Sequence, residues 1–147
     1  MAAALDLSSV CRASRIRTRL RWQPGLDSEP PVLVVDDDPA ILTFMQLALE
    51  DAGYEVMVAT DGADALQAIR HRRPGLILLD MRMPGMNGWE FADAYRQEPS
   101  PRAPILIMSA GRDAKPAQIG AAGWLGKPFD LDQLIGLVGQ ILDSARH

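Results

Sequence analysis

Four short stretches carry side chains able to do chemistry together. VLVVDDDP (32–39) begins with an apolar run and closes on Asp36, Asp37 and Asp38. LILLD (76–80) sends apolar residues straight into one carboxylate, Asp80, ahead of a Met-Pro-Gly turn. ILIMS (105–109) ends in the hydroxyl of Ser109, and WLGKP (124–128) supplies Lys127 followed by Pro128. Carboxylates brought together repel, and without a cation at least one takes a raised pKa. A hard divalent cation resolves the conflict, and Mg2+ suits a few carboxylates plus waters in an octahedral shell. One Asp80 oxygen is then left as a nucleophile. A phosphoryl group arriving there carries negative charge on its equatorial oxygens. The metal, the Lys127 ammonium and the Ser109 hydroxyl are the counter-charges and donors for it.

These residues meet only if the intervening chain folds in a particular way. Val32-Leu33-Val34-Val35 is a β-branched apolar run, the pattern of a strand buried on both faces. Asp38 and Pro39 are suited to the N-cap and first position of a helix. Ile41, Leu42, Met45, Leu47 or Ala48, and Leu49 then follow helical spacing, and Gly53 ends it. Strand two is predicted over Tyr54–Val58 and helix two over Asp61–Arg72, with Ala65, Leu66 and Ile69 inward. Leu76–Leu79 is strand three. Helix three covers Gly88–Gln97, with Trp89, Phe91, Ala92 and Tyr95 partly inward. Strand four is Ile105–Met108. A short helix falls near 114–121, weakened by Pro116 and Gly120. Strand five is Trp124-Leu125, and a last helix runs from Leu131 to Ala145, capped by Asp130. Strands alternating with helices predict an α/β fold, a doubly wound parallel sheet with helices on both faces. Such sheets bind ligands outside the carboxyl ends of their strands. All four polar clusters fall on that edge.

Composition sets the frame. The chain has 147 residues and a formal net charge of −4, unevenly spread. Arg12, Arg15, Arg17, Arg19 and Arg21 lie within the first 29 residues against Asp6, Asp27 and Glu29. The Pro-rich stretch PGLDSEPP (24–31) marks a linker, which divides the chain into a basic arm and linker (1–30) and a globular domain (31–147). The globule is acidic, which disfavours nucleic acid as a partner. Cys11 lies in the arm and has no second cysteine to pair with, as expected of a reducing, cytoplasmic setting. No apolar run reaches the ~20 residues of a membrane span. The Arg- and Ser-containing start has a transit-peptide composition without a secretory h-region, and is most simply a solvated tail.

Taken in order and placed at strand ends, VLVVDDDP, LILLDMRMPGMNG, ILIMSA and WLGKPF resemble the receiver domain of two-component response regulators. The resemblance covers about residues 31–145. It implies a CheY-like, flavodoxin-like sheet of five strands in order 2-1-3-4-5. It implies that Asp80 accepts a phosphoryl group from a histidine kinase or histidine phosphotransfer protein. It assigns Mg2+ to Asp36, Asp37 and Asp80 with the Arg82 backbone carbonyl. Ser109 matches the switch hydroxyl, Trp124 the switch aromatic and Lys127 the phosphate-binding lysine, with Lys127-Pro128 a cis peptide. The implied role is a stand-alone signalling domain rather than an enzyme with a separate substrate. Its phosphorylated form signals to a downstream protein target, and a homodimer is left open. Two departures stand out. The family usually has Tyr or Phe where Trp124 stands. The interval from Ser109 to Lys127 is about four residues short, one helical turn, which shortens the fourth helix and alters the output face.

Other readings use the same residues. Asp38 alone is explained by helix capping, and Trp124 by simple packing. A receiver-like module that binds partners without phosphorylation keeps the fold and discards the switch. A haloacid-dehalogenase-like phosphatase would use Asp36 as nucleophile and Asp38 two positions on, but the chain lacks room for a cap domain.

Overall fold

The computed structural model describes residues 30–99, 101–110 and 119–146. The arm and linker up to residue 29 lie outside the described residues, as do residues 111–118, which include 114–118 of the expected short fourth helix with Pro116. The elements are β1 (Val32–Val35), α1 (Pro39–Asp51), β2 (Val56–Ala59), α2 (Gly62–His71), β3 (Leu76–Asp80), α3 (Gly88–Tyr95), β4 (Ile105–Ser109), β5 (Gly123–Gly126) and α4 (Leu131–Arg146). The five strands form one parallel sheet, as their alternation with helices predicts, in the order β2-β1-β3-β4-β5 that the family resemblance implies.

The unbroken apolar strands are explained by burial on both sides. Side chains alternate across a sheet with a period of two, so each central strand feeds two cores. Leu33, Val35, Ile77, Leu79, Ile105 and Ile107 pack with Ala65, Leu66 and Ile69 of α2 and Phe91, Ala92 and Tyr95 of α3. Val32, Val34, Leu76, Leu78, Leu106 and Met108 pack with Leu42, Met45 and Leu49 of α1 and Leu134, Val138 and Ile141 of α4. Phe91 is fully buried, and burial of a side chain that size contributes about 2–3 kcal/mol.

Local signals set most helix ends. The Asp38 carboxylate accepts the Ala40 N–H, with Pro39 next to it. Asp61 accepts the Asp64 N–H at the start of α2. Asn87 and Glu90 form a reciprocal capping box on α3, and Asp130 and Gln133 do the same for α4. Two boundaries differ from expectation by more than one residue, and one inward position is settled differently. Strand two starts at Val56 rather than Tyr54, because the Tyr54 N–H still bonds the Leu49 carbonyl in the turn that closes α1. Gly53 takes φ 100° there, the left-handed geometry that glycine permits. Helix α3 stops at Tyr95, since Gln97 and Glu98 bond back three residues in a tighter turn. Leu47 points to solvent, 63% exposed, and Ala48 takes the half-buried position instead.

Candidate functional site

Asp36 and Asp80 follow their strands by the rule of alternate faces. Asp36 continues Val32 and Val34; Asp80 continues Leu76 and Leu78. Strands β1 and β3 are neighbours paired through Val35 and Leu79, so the two carboxylates stand side by side one step beyond that pair. The β4–β5 pairing brings Ser109 opposite Gly126, and the Lys127 N–H bonds the Ser109 carbonyl at 2.8 Å. Lys127 therefore leaves the sheet beside the carboxylates, and the Lys127-Pro128 peptide is cis.

Carboxylate oxygens of Asp36, Asp37 and Asp80 lie within 4.8 Å of one another. Asp36 and Asp80 are buried, whereas Asp37 is exposed. The Lys127 ammonium bridges the two buried acids, 3.0 Å from Asp36 Oδ2 and 3.6 Å from Asp80 Oδ1. Asp36 Oδ1 accepts the Asp38 N–H at 2.9 Å. The Arg82 N–H donates to Asp80 Oδ1 at 3.3 Å. Burial, and then the charge of Asp36, push the Asp80 carboxyl above its ordinary value; Lys127 and the Arg82 N–H oppose that, and Asp37 adds to it. One ammonium against three carboxylates leaves the cluster short of positive charge. That donor set is all oxygen, partly buried and open on the Asp37 side, and it fits a hard divalent cation such as Mg2+.

The predicted site residues thus divide into two groups. Asp36, Asp37, Asp80, Arg82, Ser109 and Lys127 share one edge of the sheet, with Ser109 buried. Trp124 is not among them. It pairs with Ile107 on β5, is 43% exposed, and lays its indole over Gly126, whose Cβ position would be 2.8 Å from the ring. Asp38 is also apart. Its carboxylate caps α1, which leaves the dehalogenase-like pairing of Asp36 and Asp38 without its second acid.

Two glycines that the sequence reading did not single out hold the loop after Asp80. The Gly88 N–H bonds the Met81 carbonyl at 3.2 Å. A Cβ on Gly88 would sit 2.7 Å from Met81 Cα and 3.1 Å from the Asp80 carbonyl oxygen. Gly62, at the start of α2, presses equally closely on Met86. The available signal was a glycine in the first turn of a helix, where a poor helix former marks close approach of another segment. Gly88→Ala forces backbone apart beneath Asp80, and we expect a loss of about 3 kcal/mol, read by urea denaturation. A loss under about 0.5 kcal/mol would show that the contact relaxes freely.

Comparison with known proteins agrees with this geometry. Residues 32–139 match the response regulator receiver domain. The chain is 39% identical over 111 residues to the DNA-binding transcriptional regulator NtrC of Escherichia coli, covering 73% of this chain and 24% of NtrC. It is 35% identical over 111 residues to the DNA-binding response regulator MtrA of Mycolicibacterium smegmatis, covering 73% of this chain and 48% of MtrA. The chain therefore spans between a quarter and a half of the length of these curated relatives. Among solved structures, the Vibrio cholerae chemotaxis protein CheY4 superposes with a TM-score of 0.69 at 33% identity, over 78% of this chain and 99% of CheY4. With the match spanning most of the globular part, the chain belongs to the response regulator receiver domain family.

Proposed function

We propose that this chain is a phosphoacceptor switch in two-component signalling, with Asp80 as the acceptor. The observation that carries the proposal is the convergence of Asp36, Asp37 and Asp80 at the carboxyl edge of the sheet, with Lys127 set against Asp36 and Asp80. Asp36, Asp37, Asp80 and the Arg82 carbonyl are the residues that would hold Mg2+. Held there, the ion would supply charge neutralisation for the acids and for the incoming phosphoryl oxygens. An Asp80 oxygen attacks the phosphorus of a phosphohistidine on a histidine kinase or phosphotransfer protein. The P–O bond forms, the P–N bond breaks, and the imidazole nitrogen leaves with the electron pair. Lys127 holds the negative charge on the transferred group, and Ser109 offers its hydroxyl to it. The result is an acyl phosphate whose added charge draws Lys127 and Ser109 toward Asp80. The loops after β3 and β4 shift with them and change a surface read by a downstream protein. Trp124 starts outside, half-exposed, and moves as part of that surface.

In this reading the domain is not an enzyme with a separate substrate; it catalyses its own phosphorylation and dephosphorylation. Among the described residues no helix is long and apolar enough to cross a membrane. The cytoplasmic location we propose rests on membership of the receiver family. Its direct partners are proteins. The DNA-binding named for NtrC and MtrA belongs to those longer relatives. Stand-alone action is part of this proposal, and the size of the endogenous protein on an immunoblot tests it.

Acetyl phosphate with Mg2+ should add one hydroxylamine-sensitive phosphoryl group, seen by intact mass, and EDTA should abolish it. Beryllofluoride should change the tryptophan fluorescence in the same Mg2+-dependent way. A protein that binds partners equally with and without either reagent would be a phosphorylation-independent module instead.

A further inference from the structure

The loop between Asp80 and α3 carries Arg82, and its shape decides where the Arg82 carbonyl points. Its ends are held to each other, to the core and to α2. At the far side, the Gly88 N–H bonds the Met81 carbonyl. Met81 and Met83 are buried in the core beside α2 and α3. The remaining hold comes from another part of the chain. The Gly62 N–H, at the first position of α2, donates to the Met86 carbonyl at 3.3 Å. The Met86 side chain lies directly over Gly62. A Cβ there would be 2.6 Å from Met86 Cγ, 2.7 Å from Sδ and 3.0 Å from Cβ. Such distances are far inside van der Waals contact, so position 62 has no room for any side chain while Met86 stays where it is. Gly85, by contrast, has φ +74° and open space around it, so the loop tip is free to be steered by what grips its two flanks.

Nothing in the helix itself asks for glycine at position 62. Asp61 already caps α2 through the Asp64 N–H, and alanine is the better helix former. The glycine is explained by its neighbour: it lets α2 approach the loop closely enough to make both the hydrogen bond and the Met86 contact. Arg82 lies between the buried Met81 and Met83, and its N–H is already against Asp80 Oδ1 at 3.3 Å. Only Met83, Pro84 and Gly85 separate Arg82 from Met86, so a displacement of Met86 reaches the Arg82 carbonyl through a short loop.

We propose that Gly62 is a positioning residue for the metal site. By seating Met86 it fixes the loop from which the Arg82 carbonyl completes the Asp36, Asp37 and Asp80 donor set. The inference rests on the Mg2+ reading given above. It adds a control point on α2, remote in sequence from all four strand-end motifs.

The test is Mg2+ titration of the full chain, followed by tryptophan fluorescence and by isothermal calorimetry, well below the melting temperature of each variant. Gly62→Ala should weaken Mg2+ binding about 10-fold, the scale seen when a partner that orients a metal ligand is lost. Met86→Ala introduced into Gly62→Ala removes the atoms that collide and should bring the affinity back to within about 2-fold of wild type. Met86→Ile leaves α2 untouched and adds branching toward Gly62, and should reproduce the loss even if Gly62→Ala fails to fold. Wild-type affinity in a folded Gly62→Ala protein, or a loss that Met86→Ala does not rescue, overturns the positioning role and leaves the metal site intact. A wild-type chain that does not bind Mg2+, or binds it equally after Asp80→Asn, overturns the site assignment and this inference together.

Discussion

Asp80→Asn should abolish phosphoryl transfer and at the same time make the metal-free protein more stable. The first effect follows from chemistry. An amide oxygen is too poor a nucleophile to form the acyl phosphate, so labelling by acetyl phosphate should fall at least about 100-fold. Asn also keeps the shape of Asp80, so the loss cannot be blamed on a cavity. The second effect follows from electrostatics. Burial and the neighbouring Asp36 charge hold the Asp80 carboxyl above its ordinary value of 3.8. For an acid whose folded-state pKa is raised, the folded chain binds the proton more tightly than the unfolded chain. Stability is then greatest at low pH with respect to this group, and falls as pH rises from near 3.8 through the folded-state value. Asn carries no charge and removes that loss. At neutral pH in EDTA the variant should melt several degrees higher than wild type, and the gap should close in acid, where Asp80 is protonated. Millimolar Mg2+ should stabilise the wild type and leave Asp80→Asn nearly unmoved. Undiminished labelling of the variant would move the acceptor to another residue. Equal melting in EDTA across the pH range would mean that the three acids do not strain the fold.

How legible this was depends on the kind of signal. The sheet could be read because each central strand is apolar at every position. Such a run has few homes other than a strand covered on both faces, and β1, β3 and β4 are all of that kind. The starts of α1 and α4 were equally accessible, since Asp38 and Asp130 were read as caps; Asp61 and Asn87 also cap α2 and α3, but the sequence reading did not name them as caps. The carboxyl-edge cluster followed once the strands were placed, because a strand's end is a fixed point in the fold. What escaped was long-range and steric. Nothing near Tyr54 in sequence says that its N–H is still bound into the turn closing α1. Nothing beside Gly62 or Gly88 names Met86 or Met81 as the neighbour that excludes a side chain. Leu47 was ambiguous by periodicity, and only the packing of α1 on the sheet chose Ala48. Trp124 is a related case. Its place on β5 was readable, but the indole lies outward over Gly126 through the absence of a side chain two positions on, a condition that helical or strand periodicity does not express.

Lys127 is where the site's two requirements oppose each other, and its removal should have the largest effect on stability. Without metal, the Lys127 ammonium is the counter-charge that the structure shows between Asp36 and Asp80, at 3.0 and 3.6 Å. Asp36 is 1% exposed, so it cannot exchange this partner for bulk water. Removing one member of a buried pair leaves the other uncompensated, which costs far more than the pair contributes when intact. Lys127→Ala in EDTA should therefore lose about 2–4 kcal/mol, roughly 10–20 °C in melting temperature for a domain of this size. Mg2+ held by the same carboxylates would supply the missing positive charge. The variant should recover most of its stability in millimolar Mg2+, and its melting temperature should rise with the ion far more steeply than that of the wild type. Transfer should still fail to produce a switch. The variant should bind the metal but has no ammonium to follow the phosphoryl group, so the beryllofluoride-dependent change in tryptophan fluorescence should be lost. Equal melting of variant and wild type in EDTA would show that the ion pair contributes nothing to holding the cluster. An unaltered response to beryllofluoride would separate Lys127 from the switch. If stability returns with Mg2+ while the response stays absent, one side chain serves first as the counter-charge of the resting site and then as the carrier of its signal.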